Sequence, residues 1–338
     1  MTPIFKLEVK NQEGDVVQDI TDKIAERLAS IRAIDLPGST SDFMEIVLND
    51  PDGKVKRHDF GVRFDLFLGF AGEKLHKVGQ YVFDELTFEG FPNQIRLLAS
   101  SVDFLGEMKA AKSFTWEDTT LGDIVTTLAK RYGYKPSVSE AYQSIQISNI
   151  NQTAESDFAF LIRLASTYAA VFKVVNGYVI FKPKADGLSV TGAQLTPVTV
   201  NLEDVTRWEL TERGRPQYGA VRASYYDYDA ALVKYVTVGD GKVTEELKTT
   251  YKSEYEAKTH AMTRLQDRLM AATTGSIDMA ANPDVIKGLI SEGLVQLDTF
   301  RSNVDWVYHI RRVEHIYRPK TGYKIKVEFS KQWDGYKK

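Results

Sequence analysis

The sequence predicts an α+β, β-rich protein in which two strand-rich regions flank a shorter mixed region. Three observations carry that reading. Apolar residues recur at every second position near both ends of the chain, as Phe5, Leu7 and Val9 and again as Tyr323, Ile325, Val327 and Phe329; a period of two places one side-chain set on one face of a strand. Between them, Leu121, Ile124, Val125, Leu128 and Tyr132 form one helical stripe. Asn176-Gly177 stands between two apolar runs, and this pair tolerates positive φ at both centres of a type I′ hairpin turn.

Taken in order, residues 1–105 read as one antiparallel β region, a small barrel or sandwich. Val62, Phe64, Leu66, Leu68 and Phe70 alternate after the first strand, and Tyr81–Phe88 and Gln94–Ala99 are further strands. Breakers separate them at Pro37-Gly38-Ser39, Asp50-Pro-Asp-Gly53, Gly69–Gly72 and Gly90-Phe-Pro-Asn93. Ile20–Ile34 is ambiguous. Ile20, Ile24, Leu28 and Ile31 fit a short helix, whereas Arg27–Ile34 also fits a strand.

Residues 106–186 form a compact α+β unit of two helices and a hairpin. The first helix starts at Thr119 or Thr120 and stops at Gly133. After a linker the second starts near Thr153 or Ser156, with Phe158, Leu161, Ile162, Ala165 and Tyr168–Ala169 on one face. Val171–Val175 and Tyr178–Phe181 are the hairpin strands. Residues 187–338 return to β structure as a second barrel with a helical insertion around 253–271. Its strands are Val198–Val200, Thr206–Leu210, Gly219–Tyr228, Val233–Val238 and the closing Tyr323–Phe329 after the Thr321-Gly322 turn. Ser253 and Glu256 have capping-box spacing, and Ala257, Ala261, Leu265 and Leu269 form a narrow apolar stripe. Such a helix covers a sheet or shields a strand edge. Residues 331–338 read as a polar tail.

Composition narrows the function classes. Of 338 residues, 43% are hydrophobic and 26% charged, which suits a globular chain long enough for two or three cores. The net charge of −3 gives no basic face for gripping duplex DNA. The chain has no cysteine, which removes disulfides, thiolate catalysis and Cys-based zinc sites. Met1–Val9 lacks a signal-peptide core and no apolar run approaches the roughly 20 residues of a membrane helix, so synthesis in a bacterial cytoplasm without membrane insertion is expected.

The search for chemistry yields no catalytic, cofactor-binding or metal-binding residue. No nucleophile elbow or phosphate loop is present. Gly239-Asp-Gly241 reads as a hairpin turn. His309 and His315 would share a strand face with Arg311 and Val313, with Glu314 opposite. Cations crowd that face and no carboxylate shares it, so solvated or hydrogen-bonded histidines are expected rather than a metal site. Glu203-Asp204, Glu245-Glu246 and Asp15/Asp19 read as solvated faces or turns, and the sequon Asn151-Gln-Thr153 as a helix cap. Arg213-Gly-Arg-Pro-Gln-Tyr218 reads as a solvated basic loop, and Tyr225-Tyr-Asp-Tyr228 suits a sheet face or a subunit interface.

With these segments in view, the sequence resembles the late control protein D family, the baseplate hub proteins of contractile-tailed phages; spike-bearing proteins of type VI secretion systems carry a related region. The residues that carry the likeness are Ser113-Phe-Thr-Trp-Glu-Asp-Thr-Thr-Leu-Gly-Asp-Ile-Val125, Gln152-Thr-Ala-Glu-Ser-Asp157 and Phe160-Leu-Ile-Arg-Leu-Ala165. It continues through Tyr218–Tyr226, Trp306–His315 and Thr321–Glu328; Ile46–Gly53 and Tyr81–Leu86 match its style, and Met279–Asp298 fits only loosely.

The resemblance implies two tail-tube-like antiparallel β-barrels, with smaller α/β domains between and inserted. It also implies a homotrimer. Two barrels in each of three chains make a pseudo-sixfold ring that joins the hexameric tail tube to the trimeric central spike, with DNA only passing through the lumen. Its partners are then the spike, the tube and other baseplate proteins, its place is the tail baseplate of a virion, and the module is not enzymatic. Two other functions share parts of this pattern: the hub of a phage-derived bacteriocin or injection machine, and a cell-wall-active tail module. The three regions leave no residues over for a lytic domain, and the chain is expected to end before any fused spike.

Overall fold

The computed structural model describes residues 1–11, 15–38, 41–56, 59–101, 108, 110–184, 187, 193–214 and 218–332. The first region comprises β1 (Pro3–Lys10), β2 (Val16–Asp19), α1 (Thr21–Ala25), β3 (Leu28–Asp35), β4 (Phe43–Asn49), β5 (Arg63–Phe70), β6 (His76–Glu89) and β7 (Gln94–Ser100). The ambiguous Ile20–Ile34 stretch is both things in turn: a five-residue helix, then a strand.

The middle region comprises β8 (Ala111–Thr120), α2 (Leu121–Arg131), β9 (Lys135–Val138), α3 (Glu140–Gln143), β10 (Gln146–Ser156), α4 (Asp157–Thr167), β11 (Ala170–Val175) and β12 (Tyr178–Pro183). Thr120 caps α2 by accepting the Asp123 N–H at 3.0 Å, and Gly133 beyond it has φ +74°. Ser156 caps α4 through the Ala159 N–H at 3.1 Å. Asn176 and Gly177 both have positive φ, as the type I′ turn requires. The stretch expected as a linker holds β9, α3 and β10, and β10 pairs with β8 in a long two-stranded ribbon. The sequon Asn151–Thr153 therefore lies within a strand, not at a helix cap. The ribbon escapes sequence reading because most of its side chains on both faces are wet, so no apolar alternation marks it. Helix α4 is rotated from the expected face: it buries Phe160, Leu161, Leu164 and Ala165 and leaves Phe158 and Ile162 partly exposed. Fully buried Asp157 at its first turn sets that rotation. It accepts from Gln152 (2.8 Å), Arg131 (2.9 Å), Lys112 (3.3 Å) and Tyr132.

The last region comprises β13 (Val198–Asn201), β14 (Val205–Glu212), β15 (Ala220–Asp227), β16 (Leu232–Gly239), β17 (Thr244–Tyr251), α5 (Glu254–Ala272), β18 (Thr273–Ala280), α6 (Pro283–Ile286), β19 (Leu294–Asp298), β20 (Val307–Arg318) and β21 (Gly322–Lys331). Ser253 caps α5 through the Glu256 N–H at 3.2 Å; the Glu256 carboxylate in turn accepts from Lys252, one residue earlier than a capping box requires. Ala257, Ala261 and Leu265 pack on Val221, Ala223 and Val238 of a small sheet ordered β16-β15-β17. Here the turn at Gly239–Gly241 is a crossover and not a hairpin, because β16 and β17 flank β15 on opposite sides. Residues 333–338 of the expected tail lie outside the described residues.

Most other strands join one sheet of thirteen, with the path β14-β18-β21-β20-β3-β4-β7-β6-β5-β1-β2 and β13 and β19 branching from β20. The seam between the first and last regions is β3–β20, antiparallel from Ile31↔Tyr317 to Asp35↔Val313. Beneath it the core is continuous: Phe5, Leu66 and Phe83 belong to one cluster with Ile277, Val313, Tyr323 and Val327. The middle region keeps its own core around Leu121, Phe160 and Phe181.

Candidate functional site

The chemistry that the structure concentrates is a buried ionic joint between all three regions. Strand β3 ends at Asp35, the following loop brings Asp42, β11 supplies Lys173, and Ser291 comes from the turn after α6. The Lys173 ammonium donates to Asp35, to the Leu36 carbonyl (2.7 Å) and to Ser291 (2.8 Å), and lies 3.0 Å from Asp42. Ser291 returns an N–H to Asp35 at 2.7 Å. Burial works to lower the Lys173 pKa, but Asp35 and Asp42 outweigh it and hold the amine above its ordinary value. Burial raises Asp42 to about 7, helped by the neighbouring Asp35 charge. Asp35 is partly exposed at the edge of the joint; desolvation works to raise its pKa, yet Lys173 and Ser291 keep it below the usual carboxylate range. A satisfied ion cluster of this kind fixes orientation more than it adds stability. The sequence holds one trace of it: Lys173 interrupts the apolar run Val171–Val175, and a charge inside such a strand requires a partner.

The two histidines are hydrogen-bonded, one of the two states expected, but they do not share the expected face. A bulge between Ile310 and Arg312 shifts the alternation of β20, so His309 and His315 no longer share a face. Neither is solvated. His309 Nε2 lies 3.2 Å from Glu292 and His315 Nδ1 lies 2.7 Å from the Tyr323 hydroxyl. Burial, with His76 nearby, pushes the His315 pKa down to about 4. The carboxylate that meets His309 comes from another segment, which strand alternation alone does not reveal. Opposite His315, Glu314 binds Arg32 at 2.5 Å across the seam and Arg312 at 3.0 Å.

The remaining candidates separate. Glu245 is not a solvated acid: Arg268 first, then Arg264, hold its pKa down to about 2 through contacts of 2.9 and 2.7 Å. Asp15, Asp19 and Glu203 are exposed. Of the basic loop, Arg213 bonds the Ala271 carbonyl and Thr274, both at 3.0 Å, while residues 215–217 lie outside the described residues. Among the described residues no group of three or more His, Asp or Glu is placed to hold a metal, and no helix is long and apolar enough to cross a membrane.

What the surface offers is edges and exposed apolar groups. The path of the large sheet ends at β14 and β2, and Val16 and Val17 on β2 are exposed. Strand β16 edges the small sheet with Leu232, Val233 and Tyr235 exposed. Exposed edges of this kind are templates for pairing with another chain.

Comparison with known proteins bears on this arrangement. The family model for the phage tail baseplate hub (GPD) matches residues 102–320. The probable baseplate hub protein of Escherichia phage 186 is 32% identical over 225 residues, which cover 67% of this chain and 56% of that protein. The chain thus spans about half the length of this curated relative. The 43 kDa tail protein of prophage MuSo2 from Shewanella oneidensis has a similar fold, with a TM-score of 0.70 at 12% identity over 98% of this chain and 99% of the other. The E. coli c3393 protein, a component of the type VI secretion system, is similar at a TM-score of 0.57 and 12% identity, over 98% of this chain and 79% of its own.

Proposed function

Since the chain belongs to the phage tail baseplate hub family, we propose that it is a structural hub whose work is assembly: three copies form a pseudo-sixfold ring in the virion tail, between the tail tube and the central spike, and DNA passes through the ring without being gripped. In this reading residues 1–105 and 187–338 supply two ring positions per chain, and 106–186 braces them. One observation carries it. Strands β3 and β20 join the two β regions in one sheet over one core, so a single chain presents a rigid pair of β units. Three such pairs supply the six positions that a sixfold tube demands. The buried Lys173 joint ties the middle region to that pair at both Asp35 and Ser291. The net charge of −3 suits a channel that does not retain a polyanion.

The test is solution mass by light scattering over a concentration series. The expected species is three times the 38.1 kDa chain, seen as rings by negative-stain microscopy. A strict monomer at every concentration, alone and mixed with the tube and spike proteins of the same virion, overturns the ring.

A further inference from the structure

At one end of the first region the strands leave the core open. Ile20, Ile24, Leu48, Phe64, Leu86 and Phe88 wall a cavity of about 420 Å³. Its rim carries Lys23, Arg27, Lys54 and Lys56, and none of its described lining residues is a carboxylate. Arg27 is neutralised by Asp50 and Asp52, at 3.3 and 2.7 Å. Lys23 and Lys56 are exposed and make no ion pair among the described residues. The mouth is thus apolar within and cationic at its lip.

A surface of the opposite character stands on the last region. The turn from β15 to β16 carries Tyr226, Asp227, Tyr228 and Asp229. Tyr228 is 72% exposed, and its ring meets that of Tyr226 edge to face with centroids 5.0 Å apart. Asp227 accepts the Asp229 and Ala230 N–H groups at 3.0 and 2.9 Å, which fixes the turn, and it pairs with Lys234 at 2.5 Å. Asp229 is exposed with no ion pair among the described residues. The result is a preordered aromatic knob that loses little conformational freedom on docking, flanked by one acid unpaired among the described residues, Asp229.

We propose that this knob of one copy seats in the basic-lipped cavity of a neighbouring copy. The occupant is a second copy because the complement is written in the same chain: aromatic rings for an apolar hole, and Asp229 for Lys23 and Lys56, while Asp227 and Lys54 already have partners in Lys234 and Asp52. In the single chain the knob stands in solvent and the cavity is open, so the chain does not satisfy itself. Knob and hole are different patches, so the contact is heterologous, the type that closes rings when its rotation closes. The proposal rests on the ring reading above and gives that ring a chain-to-chain contact.

The absence of cysteine makes the contact directly testable. Lys56→Cys and Tyr228→Cys chains are prepared separately, mixed, and treated with a bismaleimide. Both positions are exposed, so the fold is expected to tolerate them, which thermal melting checks. A covalent dimer that forms in the mixture and in neither variant alone supports the contact. In parallel, Lys23→Glu with Lys56→Glu is expected to raise the assembly midpoint concentration about tenfold, and adding Asp229→Lys to recover most of that loss. If the wild type forms trimers but no crosslink appears and the charge variants assemble normally, the contact is wrong and the ring stands. If the wild type is monomeric under all conditions and no crosslink appears, both fall. Crosslinking of position 56 only to a spike or tube protein overturns the second copy as occupant.

Discussion

Lys173 is buried with two carboxylates and has no water to retreat to. Removing its charge leaves Asp35 and Asp42 facing each other inside the protein. Lys173→Met is therefore expected to lower stability by about 3–5 kcal/mol in urea denaturation, although the new side chain is apolar. Asp42 gives the joint a pH dependence whose sign is fixed. Its folded-state pKa of about 7 lies above the ordinary 3.8, so between those values the folded state holds a proton that the unfolded state releases. Its contribution to stability is full below about pH 4 and lost as pH rises to 7. Asp42→Asn mimics the protonated group. It is expected to match the wild type near pH 4 and to exceed it by roughly 2–4 kcal/mol at pH 8. His315 works in the opposite sense: its pKa is depressed to about 4, so stability is lost as pH falls from 6.5 towards 4. Because it is common to both proteins, it cancels in the difference between them. Equal wild-type and variant stabilities from pH 4 to 8 would refute the assignment.

Among elements, the β16–β17 crossover depends on backbone passing over backbone. A Cβ on Gly241 would stand 2.2 Å from the Gly219 Cα, where nothing flexible can yield. Gly241→Ala is expected to cost roughly 2–4 kcal/mol, while Asp240→Ala beside it, exposed to solvent, stays within about 0.5 kcal/mol. Chemical denaturation of the two variants decides it. That crossover also marks a limit of sequence reading. Glycines at a sharp turn were legible, but whether the next strand pairs with the last or leaps over it is settled by distant packing. Strands whose apolar residues recur at every second position, such as β1, β5 and β21, were legible, as were the caps Thr120, Ser156 and Ser253. The β8–β10 ribbon was not, because two wet faces leave no period. The face of α4 was misjudged because a buried carboxylate, Asp157, outranked the apolar count. The joint itself was nearly invisible, since Asp35, Lys173 and Ser291 are brought together only by the tertiary fold.

At the scale of the molecule, the two β regions are not separable by cutting between them. Leu66 and Phe83 share a core with Ile277 and Val327, so a fragment of residues 1–105 exposes one side of its own interior. It is expected to be expanded and poorly dispersed in an NMR spectrum; a cooperatively folded fragment would contradict the shared core. The seam has a temporal consequence as well. Arg32 and Glu314, joined across β3 and β20, are 282 residues apart in sequence. Contacts of such separation form late and slowly. Strand β3 pairs early with β4 on one side, but the ribosome must make β20 before its other side is covered and the core shared by the first and last regions can close. Until then that edge of β3 is unpaired, the kind of strand edge that pairs with another chain.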